Sequence, residues 1–317
     1  MDIKEFLSEG EIKTQKNNEV KEKVDINKLY EEIGLNPEKI DSAITARFKL
    51  LDERTKFLED EKKALDGENL LEEYYRNIKP ERVLSEEDKK IMAIGSLFSD
   101  IGKTGPKDAT IEQQNLIITM FAVEDIKDPS ITVEDFLNTY IEDGKIDEKI
   151  KLLKEMGLSS DMSMKDFYNK HAFWTYDIIS GDGVPREDVV AAASHHILEM
   201  VNPGNIIGED GTYRFNFGNN KKFDRPEVIL VLEDKYYAFR RRLGMSHKQA
   251  ITALKKFLDK RINYDPDTPL SNEKETEYRR VYEQSFSPEF RDFLKREFIM
   301  TLNEMDEVLK NSNLYSS

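Results

Sequence analysis

Apolar residues recur at helical spacing along most of the chain, and the stretches that break the rhythm are few. Residues 1–24 are rich in Lys, Glu and Asn with few apolar anchors, so they bury too little to offset the entropy of ordering and read as a mobile tail. From Asp25, Ile26, Leu29, Tyr30 and Ile33 mark one helical face, and Gly34 with Pro37 stops and restarts the chain. Residues 41 to about 66 predict one long amphipathic helix, and 70–78 a short one. Ser85-Glu86-Glu87-Asp88 has the form of an N-terminal cap with an acidic first turn, leading into a buried helix over 89–100. Further helices start at 130–135 and span 146–156, where Gly157 ends the run, and Ser163 caps a helix with Phe167, Trp174 and Ile178 on its apolar face. Residues 189–198 predict another apolar helix. Thr212 to Phe217 alternate polar with aromatic and run into Gly218-Asn219-Asn220, the pattern of a β-hairpin at about 212–224 whose aromatic face packs on the domain. Residues 227–239 predict a buried helix, and 272–284 with 288–309 an amphipathic pair before a frayed Ser/Asn end. The fold class is all-α.

Composition narrows the chemistry. A net charge of -15 and 35% charged residues argue against nucleic acid or an anionic membrane as the main partner. The absence of cysteine excludes disulfides, thiolate zinc sites, iron–sulfur clusters and cysteine nucleophiles. No apolar window reaches the roughly 18 residues of a membrane span, and no secretory leader opens the chain, so a cytoplasmic protein is expected.

Only four histidines occur, and two of them form the doublet His195-His196 inside an apolar run, where two imidazoles need polar partners. Shared metal coordination satisfies both at once. Asp234 sits among Val228, Ile229, Leu230, Val231 and Leu232, where an unpaired carboxylate is costly and a cation partner is favoured. Asp100 and Lys103 stand three apart near a helix end, so both face one cavity, while Gly102 and Gly105-Pro106 permit a tight backbone and then break the helix.

Ser99-Asp100-Ile101-Gly102-Lys103 resembles the H-D-I-G-K signature of the HD-domain metal-dependent phosphohydrolases, with serine at the first histidine. The later order of His171, His195-His196 and Val231-Leu232-Glu233-Asp234-Lys235-Tyr236-Tyr237-Ala238 is similar to the HD-GYP branch, as is Met245-Ser246-His247, which makes His247 a helix-start residue rather than a ligand. The G-Y-P loop is missing, and Tyr237 stands where the family has a second aspartate. The resemblance covers roughly residues 90–257. It implies a helical tail-and-core organisation: 1–24 tail, 25–89 N-terminal helices, 90–262 HD-like domain with a helical insertion at about 109–164, and 263–317 C-terminal extension. The flanking helices are expected to cover the core or to meet a protein partner or a second copy.

The resemblance also implies a ligand set. Asp100 bridges two metals; His171, His195 and His196 complete one site, and Asp234 belongs to the other, together with the histidine that Ser99 replaces. An upstream carboxylate such as Glu53 or Glu59 is a further candidate ligand. One or two divalent ions are expected, iron or manganese rather than structural zinc, because the donors are imidazole and carboxylate without thiolate. Asp100 and Lys103 carry the catalytic roles, and Lys103 with Arg241 the substrate contacts. The expected activity is hydrolysis of a phosphorylated small molecule, a nucleotide or cyclic dinucleotide. The alternatives are a degenerate relative acting as a nucleotide-binding or interaction module, and an HD-fold diiron oxygenase.

Overall fold

The computed structural model describes residues 24–123, 126, 128–141, 144–179, 192–214, 221–265, 267 and 272–310, the side chains of 241 and 242 excepted. Among these the chain forms α1 (Ile26–Glu32), α2 (Ser42–Thr55), α3 (Phe57–Ile78), α4 (Glu86–Ser99), α5 (Ile111–Phe121), α6 (Val133–Tyr140), α7 (Ile146–Glu155), α8 (Met164–Ile179), α9 (Arg225–Arg242), α10 (His247–Arg261), α11 (Glu273–Ser285) and α12 (Pro288–Leu309). The expected tail, apart from Val24, and the Ser/Asn end lie outside the described residues.

Helix α9 is the centre. Val228 to Leu232 are all buried, as a helix enclosed on every side requires, and α9 packs against α4, α10 and α12. Helix α12 joins this core through Phe290, Leu294, Phe298, Leu302 and Met305, a stripe at three- and four-residue spacing. Its register is fixed by buried Arg82, which donates to Glu297 at 2.8 Å, Glu304 at 3.0 Å and Thr301 at 3.2 Å, with the Tyr75 hydroxyl on Glu304 at 2.8 Å. A second apolar cluster lies over α5, α6 and α7, where Leu116, Met120, Phe121, Phe136, Leu137 and Leu153 close over Phe167 and Trp174 of α8. Helix α8 thus separates two cores, with one face in each.

Three expectations change. The long helix over 41–66 is broken at Lys56, which takes a left-handed conformation (φ 57°), and α3 restarts at Phe57 and runs unbroken through Gly67 to Ile78. The Asp52 carboxylate caps this restart by accepting from the Leu58 amide at 2.9 Å. The histidine doublet does not ride mid-helix: residues 192 and 193 are helical, 194–196 turn, and a 3-10 turn follows over Ile197–Glu199, while 189–191 lie outside the described residues. At the expected hairpin the described residues form no strand, only isolated antiparallel bridges Ile207–Tyr213 and Thr212–Lys222, and 215–220 lie outside. Tyr213 is buried, with its hydroxyl donating to Glu227 at 3.0 Å. No helix among the described residues is long and apolar enough to cross a membrane.

Candidate metal centre

The site starts where α4 stops. A reciprocal Ser85–Asp88 capping box opens the helix, and at Asp100 (φ -99°, ψ 1°) the chain tightens into a 3-10 turn over Ile101–Thr104. This turn lies against α8 with no side chain between: a Cβ on Gly102 would stand 1.9 Å from the His171 carbonyl oxygen. The Thr175 hydroxyl accepts from the Gly102 amide at 3.0 Å and donates to the Ser99 carbonyl at 2.9 Å, locking turn to helix. From the other side, buried Arg47 of α2 gathers the Thr104 hydroxyl at 2.7 Å and the carbonyls of Pro106 and Lys107 at 2.8 and 2.6 Å. Arg47 shares the stripe Ile44, Phe48, Leu51, and an arginine on an apolar stripe is the signal by which sequence could have marked it.

His171 projects from the buried stripe of α8, with the Phe121 ring edge-on at 5.6 Å. Its Nδ1 meets the Tyr168 carbonyl, and the Nδ1 of His195 meets the Ala192 carbonyl, so each Nδ1 carries the hydrogen and each Nε2 presents a lone pair. The His171 Nε2 lies 2.9 Å from the Nε2 of His195 and 3.1 Å from that of His196. Among the described residues, two groups form within reach of a single ion: His171, His195 and His196, and Asp100, His195 and Asp234. Five residues from four segments therefore converge, with His195 common to both groups.

Asp100 faces two ways. One oxygen, Oδ2, pairs with the Lys103 ammonium; the other, Oδ1, is buried without a hydrogen bond, 3.6 Å from the His171 Nε2. Beside it lies a cavity of about 50 Å³ lined by Asp60, Glu61, Ser99, Lys103, Glu233 and Asp234 among others. Room for a few water molecules is what this volume offers. The upstream carboxylates on this cavity are Asp60 and Glu61, a correction to Glu53, which is exposed, and Glu59, which pairs with Lys63 at 3.6 Å. Because α3 restarts at Phe57, its inward stripe runs through 57, 61, 64, 65 and 68, and Glu59 falls off it. The Ser99 hydroxyl donates back to the Ser96 carbonyl at 2.8 Å.

His196 is held from behind. Its Nδ1 lies 3.2 Å from the Lys235 ammonium and 3.5 Å from Glu199, and Lys235 itself bridges Glu199 at 2.7 Å and Asp234 at 3.0 Å. Sequence reading passed over Lys235 and Glu199; a lysine beside Asp234 in an apolar helix was the available signal. His247 is engaged elsewhere, between the Tyr236 hydroxyl and Asp306, each at 3.0 Å. The side chain of Arg241, expected to touch substrate, lies outside the described residues.

Burial, reinforced by the neighbouring imidazoles, pushes His171 far below the usual histidine range and His195 down to about 3, so both are neutral at pH 7. Burial alone raises a carboxylate, yet Asp100 falls because of Lys103, Asp234 falls far because of Lys235 and the histidines, and Glu199 falls to about 2 for the same reason. Burial and the Asp100 charge push Glu61 far up.

Behind the cavity, buried Glu68 bonds Glu233, and burial pushes both up, Glu68 to about 8. A raised carboxyl binds its proton more tightly in the folded state, so its contribution is complete below about pH 4.5 and is lost as pH rises toward 8. The contribution of this pair to the stability of the metal-free chain should fall between about pH 4.5 and 8 with a slope of up to about 1.4 kcal/mol per unit per proton. Glu68→Gln, whose amide needs no proton, should flatten that fall; denaturant melts across the window check it, and an unchanged slope contradicts the paired-carboxyl account.

Comparison of the chain with family models, with curated proteins and with solved structures gives no match.

Proposed function

We propose that the chain is a metal-dependent phosphohydrolase of the HD type, acting on the phosphoester of a nucleotide or cyclic-nucleotide-like small molecule. The observation that carries this reading is the meeting of the His171 and His195 Nε2 atoms, with the His196 Nε2 beside them. Two neutral imidazoles whose Nδ1 hydrogens are already donated to carbonyls turn bare lone pairs toward each other at 2.9 Å, an arrangement that repels unless a cation sits between them. His171, His195, His196 and Asp100 would hold it, with Asp234 beside them. Imidazole plus carboxylate without thiolate suits iron or manganese.

Such an ion supplies a water acidic enough to give hydroxide at neutral pH. The chain does the rest. Asp100 would hold the ion through Oδ1, the oxygen that carries no hydrogen bond, and the Lys103 ammonium beside it would offset charge on the phosphoryl oxygens. Attack of water on phosphorus would break the ester P–O bond, the water giving up a proton to solvent and the departing oxygen taking one up. The small cavity favours a second reading, a chain that keeps its metal and serves as a binding module without turnover.

Purified protein should contain manganese or iron and hydrolyse bis(p-nitrophenyl) phosphate and nucleotide phosphoesters, with a chelator abolishing the rate. Bound metal with background rates on every ester would leave the binding-module reading. Absence of bound metal after reconstitution would sink both.

A further inference from the structure

A second cavity, of about 450 Å³, is lined by α3, the end of α1 and the first half of α4, and none of the histidines reaches it. That size is ordinary for a small-molecule pocket. Glu68 and Glu72 of α3 stand on its lining, each at most 5% exposed. The Glu68 Oε1 and the Glu72 Oε2 are buried and accept no hydrogen bond. From this pair of open acceptors we infer that the cavity is a binding site for an aliphatic diamine, one ammonium group going to each acid and the methylene chain to the apolar wall between them.

The chain's own cations are engaged elsewhere on the lining. Lys62 lies between Glu32 at 3.1 Å and Asp66 at 3.2 Å, and Lys89 between Glu72 at 2.9 Å and Glu86 at 2.6 Å. Both cations that reach Glu72, Lys89 and Arg76, take the same oxygen, Oε1, so Oε2 is left for a donor the chain does not supply. Glu68 meets Glu233 and likewise keeps Oε1 over. A buried acceptor without a donor is costly, and a ligand that brings N–H groups recovers that cost. Residues four apart on a helix face stand about 5–6 Å apart, the span of a four-carbon diamine. Ile33, Leu65 and Met92 offer its methylenes an apolar surface. An anion would instead have to displace carboxylates from Lys62 and Lys89. Neither open oxygen touches water, so the ammonium groups reach them as the two glutamate side chains turn about their own torsions.

Calorimetric titration of the full chain tests this, with putrescine as the diamine, butylamine as its single-ammonium counterpart and succinate as the anion. One putrescine should bind per chain, and butylamine at least about tenfold more weakly. Glu72→Gln and Glu68→Gln, which keep the shape and remove the charge, should each weaken putrescine by at least about tenfold. Glu155→Gln, at an exposed acid of α7, should leave it unchanged, which separates a site from attraction to the net charge of -15. Should the buried variants fail to fold, Ala93→Phe, which adds a ring to the α4 side of the lining, should abolish binding. Absence of putrescine binding, an affinity that Glu72→Gln or Ala93→Phe leaves intact, or succinate bound in preference would each overturn the inference. No metal enters the measurement, so either result leaves the metal reading as it stands.

Discussion

Gly102→Ala should unfold the protein or reduce its stability by roughly 4 kcal/mol or more, at the extreme end of single substitutions. The added Cβ would stand 1.9 Å from the His171 carbonyl oxygen, 2.6 Å from the Thr175 amide nitrogen and 2.7 Å from the Thr175 hydroxyl. Two of these three are backbone, so no rotamer change relieves the overlap. The turn must lift from α8, breaking the Gly102–Thr175 and Thr175–Ser99 hydrogen bonds and moving Asp100 away from His171. Gly157 supplies the contrast. It adopts φ 75° with nothing within 4 Å of a built Cβ, so Gly157→Ala meets only the backbone penalty of about 1 kcal/mol. Denaturant unfolding of both variants distinguishes close approach from chain conformation. Equal losses would mean that the contact of turn and helix is not what Gly102 provides.

That contact shows what a sequence discloses and what it withholds. Gly102 between Asp100 and Lys103 is visible as a tight-backbone signal, but its partner, the α8 backbone at His171 and Thr175, is some 70 positions away, and no local pattern names it. The helices were legible wherever a cap or an apolar stripe was local: Ser85 and Asp88 opening α4, and Ser163 before α8. They were misread where backbone conformation decides. Lys56 is an ordinary surface residue by type, and nothing in its identity signals the left-handed φ that splits the helix over 41–66. That break moved the inward carboxylate from Glu59 to Glu61. The meeting of Asp100, His171, His195, His196 and Asp234 was expected only from a resemblance in residue order, since spacing alone could not bring together residues from the end of α4, α8, the 194–196 turn and α9. Lys235 and Glu199 escaped because each looked like one more charge in a chain that is 35% charged; only burial reveals that they bond each other behind His196.

His195→Ala should weaken metal binding more than loss of either other histidine, because His195 alone belongs to both groups of converging donors. Changes behind a ligand typically cost about 10–100-fold in affinity, so removal of this shared ligand should exceed ~100-fold, or about 2.7 kcal/mol. His196→Ala removes one donor and leaves Asp100, His195 and Asp234 grouped, so its loss should be smaller. The metal-free proteins should order differently. With His195 gone, the His171 lone pair no longer faces another at 2.9 Å, and that relief offsets part of the cavity left by a fully buried ring. Thermal melts with and without Mn²⁺ separate the two effects: the wild type gains stability from the ion by mass action, His196→Ala gains less, and His195→Ala gains nothing at the same concentration. An Mn²⁺-induced shift in His195→Ala equal to that of the wild type would place the ion elsewhere and remove the three-histidine cluster from the site.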